Sequence, residues 1–247
     1  MRKLLAYPLT VIYYVFFLLT LIIFHPIQWI CFNIFGYQAH KSSVDVLQFF
    51  LMRCANLLGT RFTFNNTFEI PTEQPLIIVA NHQSMYDISP IMWFMRKHHP
   101  KFISKQELGK GIPSVSYNLR HGGSVLIDRK NPRQSLPAIM KFGEYIETTK
   151  RAAVIFPEGT RSKDGTPKPF QTKGLEILFK KVPSAIIVPI SINNSWKMQR
   201  YGKFPMGIGT HIIFTVHKPL ELATFVDKEE LISVIEKTIT SHIHPKN

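Results

Sequence analysis

Two short apolar runs, far apart in the chain, end in the same abrupt way, and this repeated layout constrains the fold more than any other feature. Leu76 to Ala80 is β-branched in its middle and preceded by Pro71 and Pro75, so it reads as a buried strand, and it stops at Asn81-His82-Gln83-Ser84-Met85-Tyr86-Asp87. Ala152 to Phe156 is a second such strand and stops at Pro157-Glu158-Gly159-Thr160-Arg161-Ser162. Strands of this kind belong in an α/β fold whose central sheet is mixed, mostly parallel and flanked by helices. In open α/β sheets ligands gather outside the carboxyl ends of the strands, so the two polar clusters are expected to face one crevice.

The residue types in the clusters suggest chemistry. A histidine that takes a proton near neutral pH needs its far ring nitrogen held by an acceptor, and Asp87, separated from His82 by four residues of a strand-to-helix turn, is placed to supply one. An ordinary polar turn, with Asp87 capping a helix from Ile88 to His98, is the competing reading. In the second cluster Arg161 offers a planar fork of donors suited to a phosphate, Gly159 lets the backbone come close, and Glu158 is expected to orient the guanidinium. A surface salt bridge between Glu158 and Arg161 is the plainer alternative there.

Together these residues resemble a known family. Asn81 to Asp87 is similar to the NHxSxxD block, and Phe156 to Ser162 to the FPEGTRS block, of the lysophosphatidic acid acyltransferases. Gly123-Ser124-Val125-Leu126-Ile127-Asp128-Arg129 and Ile187-Val188-Pro189-Ile190 also fit their places in that family, and the likeness runs roughly from Phe62 to Val216. It implies acyl transfer from a thioester, acyl-CoA or acyl-carrier protein, to the free sn-2 hydroxyl of lysophosphatidic acid, giving phosphatidic acid. His82 would be the general base, Asp87 its orienting partner, and Glu158, Gly159, Thr160 and Arg161 the phosphate-binding turn. The resemblance also raises Lys105 and Arg129, basic residues at strand ends, to candidate phosphate contacts. On residues alone, Lys105 reads as a solvated lysine and Arg129 equally as a partner of Asp128. No cofactor and no metal are expected.

The remainder of the chain says where such an enzyme works. Lys and Arg number 30 against 16 Asp and Glu, a net charge of +14, which favours an anionic partner. Between Lys3 and Lys41 there is no Lys, Arg, Asp or Glu, and the 21 residues from Leu4 to Phe24 would reach about 31 Å as a helix, close to the hydrocarbon thickness of a bilayer. His25-Pro26 is expected to break that helix, so two segments lying in one leaflet compete with one that crosses. Ser42 reads as the cap of a further helix carrying Val44, Leu47, Phe50, Leu51, Cys54, Leu57 and Leu58 on one face. Residues 1–59 are therefore assigned as membrane-anchoring helices and 60–247 as the α/β acyltransferase domain. The partners expected are a bilayer with anionic lipids, lysophosphatidic acid and the acyl donor, and not nucleic acid; the thioester donor implies a site on the cytoplasmic side of the membrane.

Within the domain, strands are expected at 61–68, 101–104, 124–127, 185–192 and 211–217. Helices are expected at 113–120, from a Ser135 cap onward, at 172–181 and after an Asp227 cap. Lys163 to Pro169 is a turn-rich loop that could flex over the site. Trp196 to Phe204 interleaves aromatic and basic residues in a pattern that suits a membrane interface. Cys31 and Cys54 lie in apolar or helical settings, so no disulfide or metal site is indicated. A related enzyme acting on glycerol 3-phosphate or another lysophospholipid shares this reading, and a non-catalytic lipid-binding module is the rival from another class.

Overall fold

The computed structural model describes residues 2–244. It opens with α1, Arg2–Asn56, whose only non-helical residue is Gly36 (φ 79°, ψ −169°), dividing it into two arms, 2–35 and 37–56. The arms fold back on one another: Phe24 meets Phe50 at 5.8 Å between ring centroids, and Thr20 meets Cys54 at 3.5 Å. The expected break at His25-Pro26 does not occur. Pro26 sits within helical backbone, and the turn comes where a glycine adopts a φ that side chains with a Cβ avoid. Ser42 is likewise inside the second arm and not its cap, its hydroxyl donating to the Gln38 carbonyl at 3.0 Å.

After α1 come β1 (Arg61–Asn65), β2 (Leu76–Ala80), α2 (Ile88–Phe94), β3 (Lys101–Lys105), α3 (Val115–His121), β4 (Val125–Ile127) and α4 (Pro132–Thr149). They are followed by β5 (Ala152–Ile155), α5 (Lys173–Lys181), β6 (Ile186–Asn193), β7 (His211–Val216), β8 (Leu220–Glu221) and α6 (Lys228–Thr240). α4 begins earlier than Ser135 because Asn131 accepts from Gln134 N at 3.3 Å and Pro132 fills the first helical position; Ser135 and Pro137 lie inside its opening turns.

One eight-stranded sheet runs β1-β7-β6-β2-β5-β3-β4, with β8 beside β6. The strands from β6 to β4 are parallel, and β7 turns antiparallel to β6, giving the mixed, mostly parallel sheet expected. β2 is buried on both faces. Leu76, Ile78 and Ala80 join the core under α1 and α2, while Ile77 and Val79 join the core under α4, α5 and α6. This alternation explains why the strand is apolar throughout.

The first arm of α1 lies along the domain. Its buried stripe of Ala6, Thr10, Tyr13, Leu21 and Gln28 has helical spacing. Hydrogen bonds join it to the domain from Thr10, whose Oγ1 accepts from Met206 N at 2.8 Å, to Asn33, whose Nδ2 donates to Tyr117 Oη at 2.9 Å. The opposite face, with Leu4, Val15, Phe16, Leu19, Ile23 and Phe35, is exposed. Trp196 and Met198, assigned above to an interfacial loop, are buried in the domain instead, and only Tyr201 and Phe204 of that stretch present rings outward.

Candidate active site

Where β2 ends, Asn81 fastens the turn to the neighbouring strand: its side chain donates to the Ile192 carbonyl at 2.9 Å and accepts from Ile192 N at 2.7 Å. His82 follows, and Asp87 folds back on it. A single oxygen of Asp87, Oδ2, accepts from His82 Nδ1 at 2.8 Å, Gln83 N at 2.8 Å and Ser84 N at 2.9 Å. With two backbone donors on it this oxygen is an acceptor, so the imidazole hydrogen lies on Nδ1 and the Nε2 lone pair is left over. Nε2 has no hydrogen-bond partner among the described residues. Asp87 does not cap α2 with its side chain; the carboxylate points back at its own turn. Ser84 accepts from Tyr86 N at 3.1 Å and serves the turn.

The second cluster is bonded to the first. Glu158 Oε1 accepts from His82 N at 3.1 Å, and Ser162 N donates to the His82 carbonyl at 2.8 Å. The Phe156 ring stacks on the His82 ring, 4.1 Å between centroids and 14° between planes. Glu158 thus departs from expectation. It is buried and turned to the His82 backbone, and no ion pair joins it to Arg161 among the described residues. Burial pushes the Glu158 carboxyl up to about 7, against the opposing pull of the His82 and Lys168 backbone N–H groups.

Gly159, at φ 68°, makes the turn that a Cβ would strain, and Gln171 lies 3.0 Å from where that atom would stand. Its carbonyl takes a hydrogen bond from the Arg129 guanidinium. Its N–H is engaged by the Phe156 carbonyl at 3.1 Å, whereas the N–H groups of Thr160 and Arg161 have no partner among the described residues. Arg161 is exposed at the tip of the turn, and its charge reaches both Arg129 and Tyr86. Burial first, and then this neighbouring guanidinium, lowers the Arg129 pKa.

Lys105, Arg129, Gly159 and Thr160 line one open cleft of about 820 Å³, within the ~300–1,000 Å³ range of small-ligand sites. Lys110 and Lys130 line it too, against two carboxylates, Glu107 and Asp128. The sequence reading missed both lysines. It also missed Lys168, whose ammonium bonds Thr160 Oγ1 and the Arg161 carbonyl at 2.8 Å each. No local pattern marks these residues. The loop carrying Lys168, expected to flex, is tied down at both ends, by Ser162 Oγ accepting from Gly165 N at 2.9 Å and by Phe170 N donating to Glu236 at 3.1 Å. The described residues hold no cluster of His, Cys, Asp and Glu that could bind a metal.

Neither His82 nor Arg161 lines that cleft; a histidine with one nitrogen fixed and the other available, bonded through Glu158 to the turn that forms the wall of a cation-rich cleft at the carboxyl ends of parallel strands, marks the class of an α/β enzyme. Comparison with known proteins narrows the class. The family profile described as Acyltransferase matches residues 61–193. A protein of Helicobacter pylori named 1-acyl-sn-glycerol-3-phosphate acyltransferase is 31% identical over 180 residues, covering 69% of this chain and 71% of that one. A chloroplastic protein of Brassica napus with the same activity in its name is 33% identical over 153 residues, 60% of this chain and 42% of its own. The crystal structure of the 1-acyl-sn-glycerophosphate acyltransferase PlsC from Thermotoga maritima superposes with a TM-score of 0.77 at 24% identity, covering 98% of this chain and 95% of that one, a likeness of fold. The chain belongs to the acyltransferase family and is an O-acyltransferase, as its two motif blocks led one to expect.

Proposed function

We propose that the enzyme transfers a fatty acyl group from an acyl thioester to the free sn-2 hydroxyl of lysophosphatidic acid, forming phosphatidic acid at a membrane surface. The observation that carries this reading is the 2.8 Å bond from His82 Nδ1 to Asp87, which leaves Nε2 as a base in a turn bonded through Glu158 to the wall of the cleft. Nε2 removes the substrate hydroxyl proton as the oxygen attacks the thioester carbonyl, Asp87 steadies the imidazolium, and the proton passes to the departing thiolate. No acyl-enzyme is needed, because the hydroxyl is activated directly. Arg161, Arg129 and Lys105 hold the phosphate of the acceptor, and the unengaged N–H groups of Thr160 and Arg161 supply further anion contacts. Glu158 acts on His82 through the backbone. The names of the relatives support lysophosphatidic acid as the acceptor; acyl-CoA or acyl-carrier protein is the donor in this reading.

The exposed apolar face of the first arm supports a place in one leaflet. That arm is bonded to the domain from residue 10 to residue 33, about 35 Å of helix, and so lies against the protein and does not leave it to cross the bilayer. The site then faces the cytoplasm, where thioester donors are made. Labelling of Lys163→Cys by an impermeant reagent in intact cells would contradict that sidedness.

The deciding assay measures phosphatidic acid formed from lysophosphatidic acid and a long-chain acyl thioester by purified protein in detergent. His82→Ala should lower turnover by about 10²- to 10⁴-fold with the protein still folded. Equal turnover in both proteins rejects His82 as the base; no transfer by either, across a panel of donors and lysolipids, favours the lipid-binding module.

A further inference from the structure

At the end of the strands opposite to His82 lies a second cluster of cations that the acyl-transfer reading does not use. Lys101 opens β3 and Arg151 directly precedes β5, so both stand at the amino ends of strands parallel to β2, about one strand length, ~15 Å, from the carboxyl ends that carry the site. Lys101 is only 6% exposed, yet its ammonium has no hydrogen bond or ion pair among the described residues. It lies 5.0 Å from the centroid of the Tyr37 ring, and the Arg151 guanidinium lies 3.9 Å from the same centroid. The Tyr37 hydroxyl pairs with His99 Nδ1 at 2.9 Å. His40, 1% exposed, lines the same narrow cleft as Lys101 and His99, and its Nε2 is without a partner. The carboxylate of the cleft, Asp45, is taken by Lys41 at 2.5 Å.

This is a buried arrangement with surplus positive charge. Burial and the Arg151 charge push Lys101 down to about 7, and burial with the neighbouring cations pushes His40 and His99 down to about 4. Asp45 is the one carboxylate whose charge reaches Lys101, and it is bonded to Lys41, so two lysines and Arg151 share a single counter-charge, and nothing in the catalytic site requires the excess. An oxyanion at the mouth of the cleft, between Lys41, Lys101 and Arg151, would supply the missing charge.

We propose that the mouth of this cleft, between Lys41, Lys101 and Arg151, is a non-catalytic site for the phosphate of an anionic lipid headgroup; the cleft behind it, about 10 Å³, is too small to admit the phosphate. The source of the phosphate follows from the neighbouring residues. Tyr37 comes directly after the Gly36 kink, and the residues just before it, Ile34 and Phe35, are 64% and 70% exposed, with Trp29 at 53%. Side chains that enter hydrocarbon thus lie within a few residues of a ring flanked by cations, the order in which a bilayer presents its acyl chains and its phosphates. The site uses membrane contact but not the acyl-transfer mechanism, and its test reads binding alone.

The test compares full-length wild type, Lys101→Met and Lys101→Arg. Flotation on phosphatidylcholine vesicles with and without phosphatidylglycerol should show the preference for anionic vesicles reduced about fivefold in K101M and largely retained in K101R. In detergent, dihexanoyl phosphatidylglycerol should raise the thermal midpoint of wild type but not of K101M. Without ligand, K101M should melt at or above wild type, since it loses a buried charge whose one nearby carboxylate is already bonded to Lys41, and this also reports that it is folded. Equal vesicle preference and equal midpoint shifts in wild type and K101M overturn the site. A midpoint shift reproduced by inorganic phosphate, with no Lys101-dependent vesicle preference, overturns the lipid as its source. Acyl transfer in detergent is a separate readout, so loss of the catalytic reading would leave these results standing.

Discussion

At the scale of single residues, the His82 turn holds its carboxylate by three hydrogen bonds to one oxygen, and Asp87→Asn should be costly although it changes only one atom. An amide can keep its carbonyl oxygen toward those donors, but it no longer offsets a positive imidazole. Turnover should therefore fall by about 10²- to 10⁴-fold with little change in the KM for lysophosphatidic acid, measured by steady-state acyl transfer. Glu158 makes a pH-dependent prediction. Its carboxyl rises from 4.5 to about 7 on folding, so the folded chain holds more protons than the unfolded one in that window. Stability from this group is present below pH 4.5 and is lost as pH rises toward 7. Glu158→Gln keeps the hydrogen bond to His82 N without the charge. Its melting temperature should gain on wild type progressively between those pH values and then hold a constant lead; parallel pH profiles for the two proteins would refute the buried, protonated carboxyl.

At the scale of elements, Asn81 shows how a side chain can fix one strand end against the next. Asn81→Ala would leave Ile192 N and its carbonyl unpaired in a buried place, a loss of about 2–4 kcal/mol for two such groups. Denaturant unfolding should record it, along with a drop in turnover as the His82 turn loosens. The same scale explains what the sequence made legible. Strand-turn-helix blocks are local, so β2, β5 and the residues that follow them were read close to their true limits, and their chemistry was visible as residue types at strand ends. Contacts across sequence were not visible. Glu158 was matched with the nearby Arg161 because its real partner, His82 N, lies 76 residues away. Lys110, Lys130 and Lys168 gave no local sign that they join the site. The kink in α1 was assigned to Pro26, the stronger helix breaker by composition, whereas the chain turns at Gly36 because tertiary contacts of the two arms require a left-handed φ there. The start of α4 was legible in Asn131-Pro132 and was passed over for Ser135.

At the scale of the whole molecule, one face of α1 is wired to the domain and the other is bare and apolar. Tyr13, fully buried, donates to the Tyr86 hydroxyl at 3.1 Å, one residue from Asp87, so the arm also braces the turn that holds His82. Leu19→Glu with Ile23→Glu, both on the exposed face at 47% and 55%, should leave the fold intact and weaken vesicle association by at least about tenfold in a flotation assay. Undiminished association would move the membrane-binding surface elsewhere. With that face laid in a bilayer and a lysolipid as the acceptor proposed above, His82 is held at a constant height over a sheet that contains the substrate. Encounter then takes place in two dimensions, and the quantity that saturates the enzyme is the mole fraction of lysolipid among its neighbours, not its concentration in bulk. Diluting the acceptor with inert lipid at constant total amount would slow such an enzyme, while diluting the whole suspension with buffer would leave it nearly unaffected.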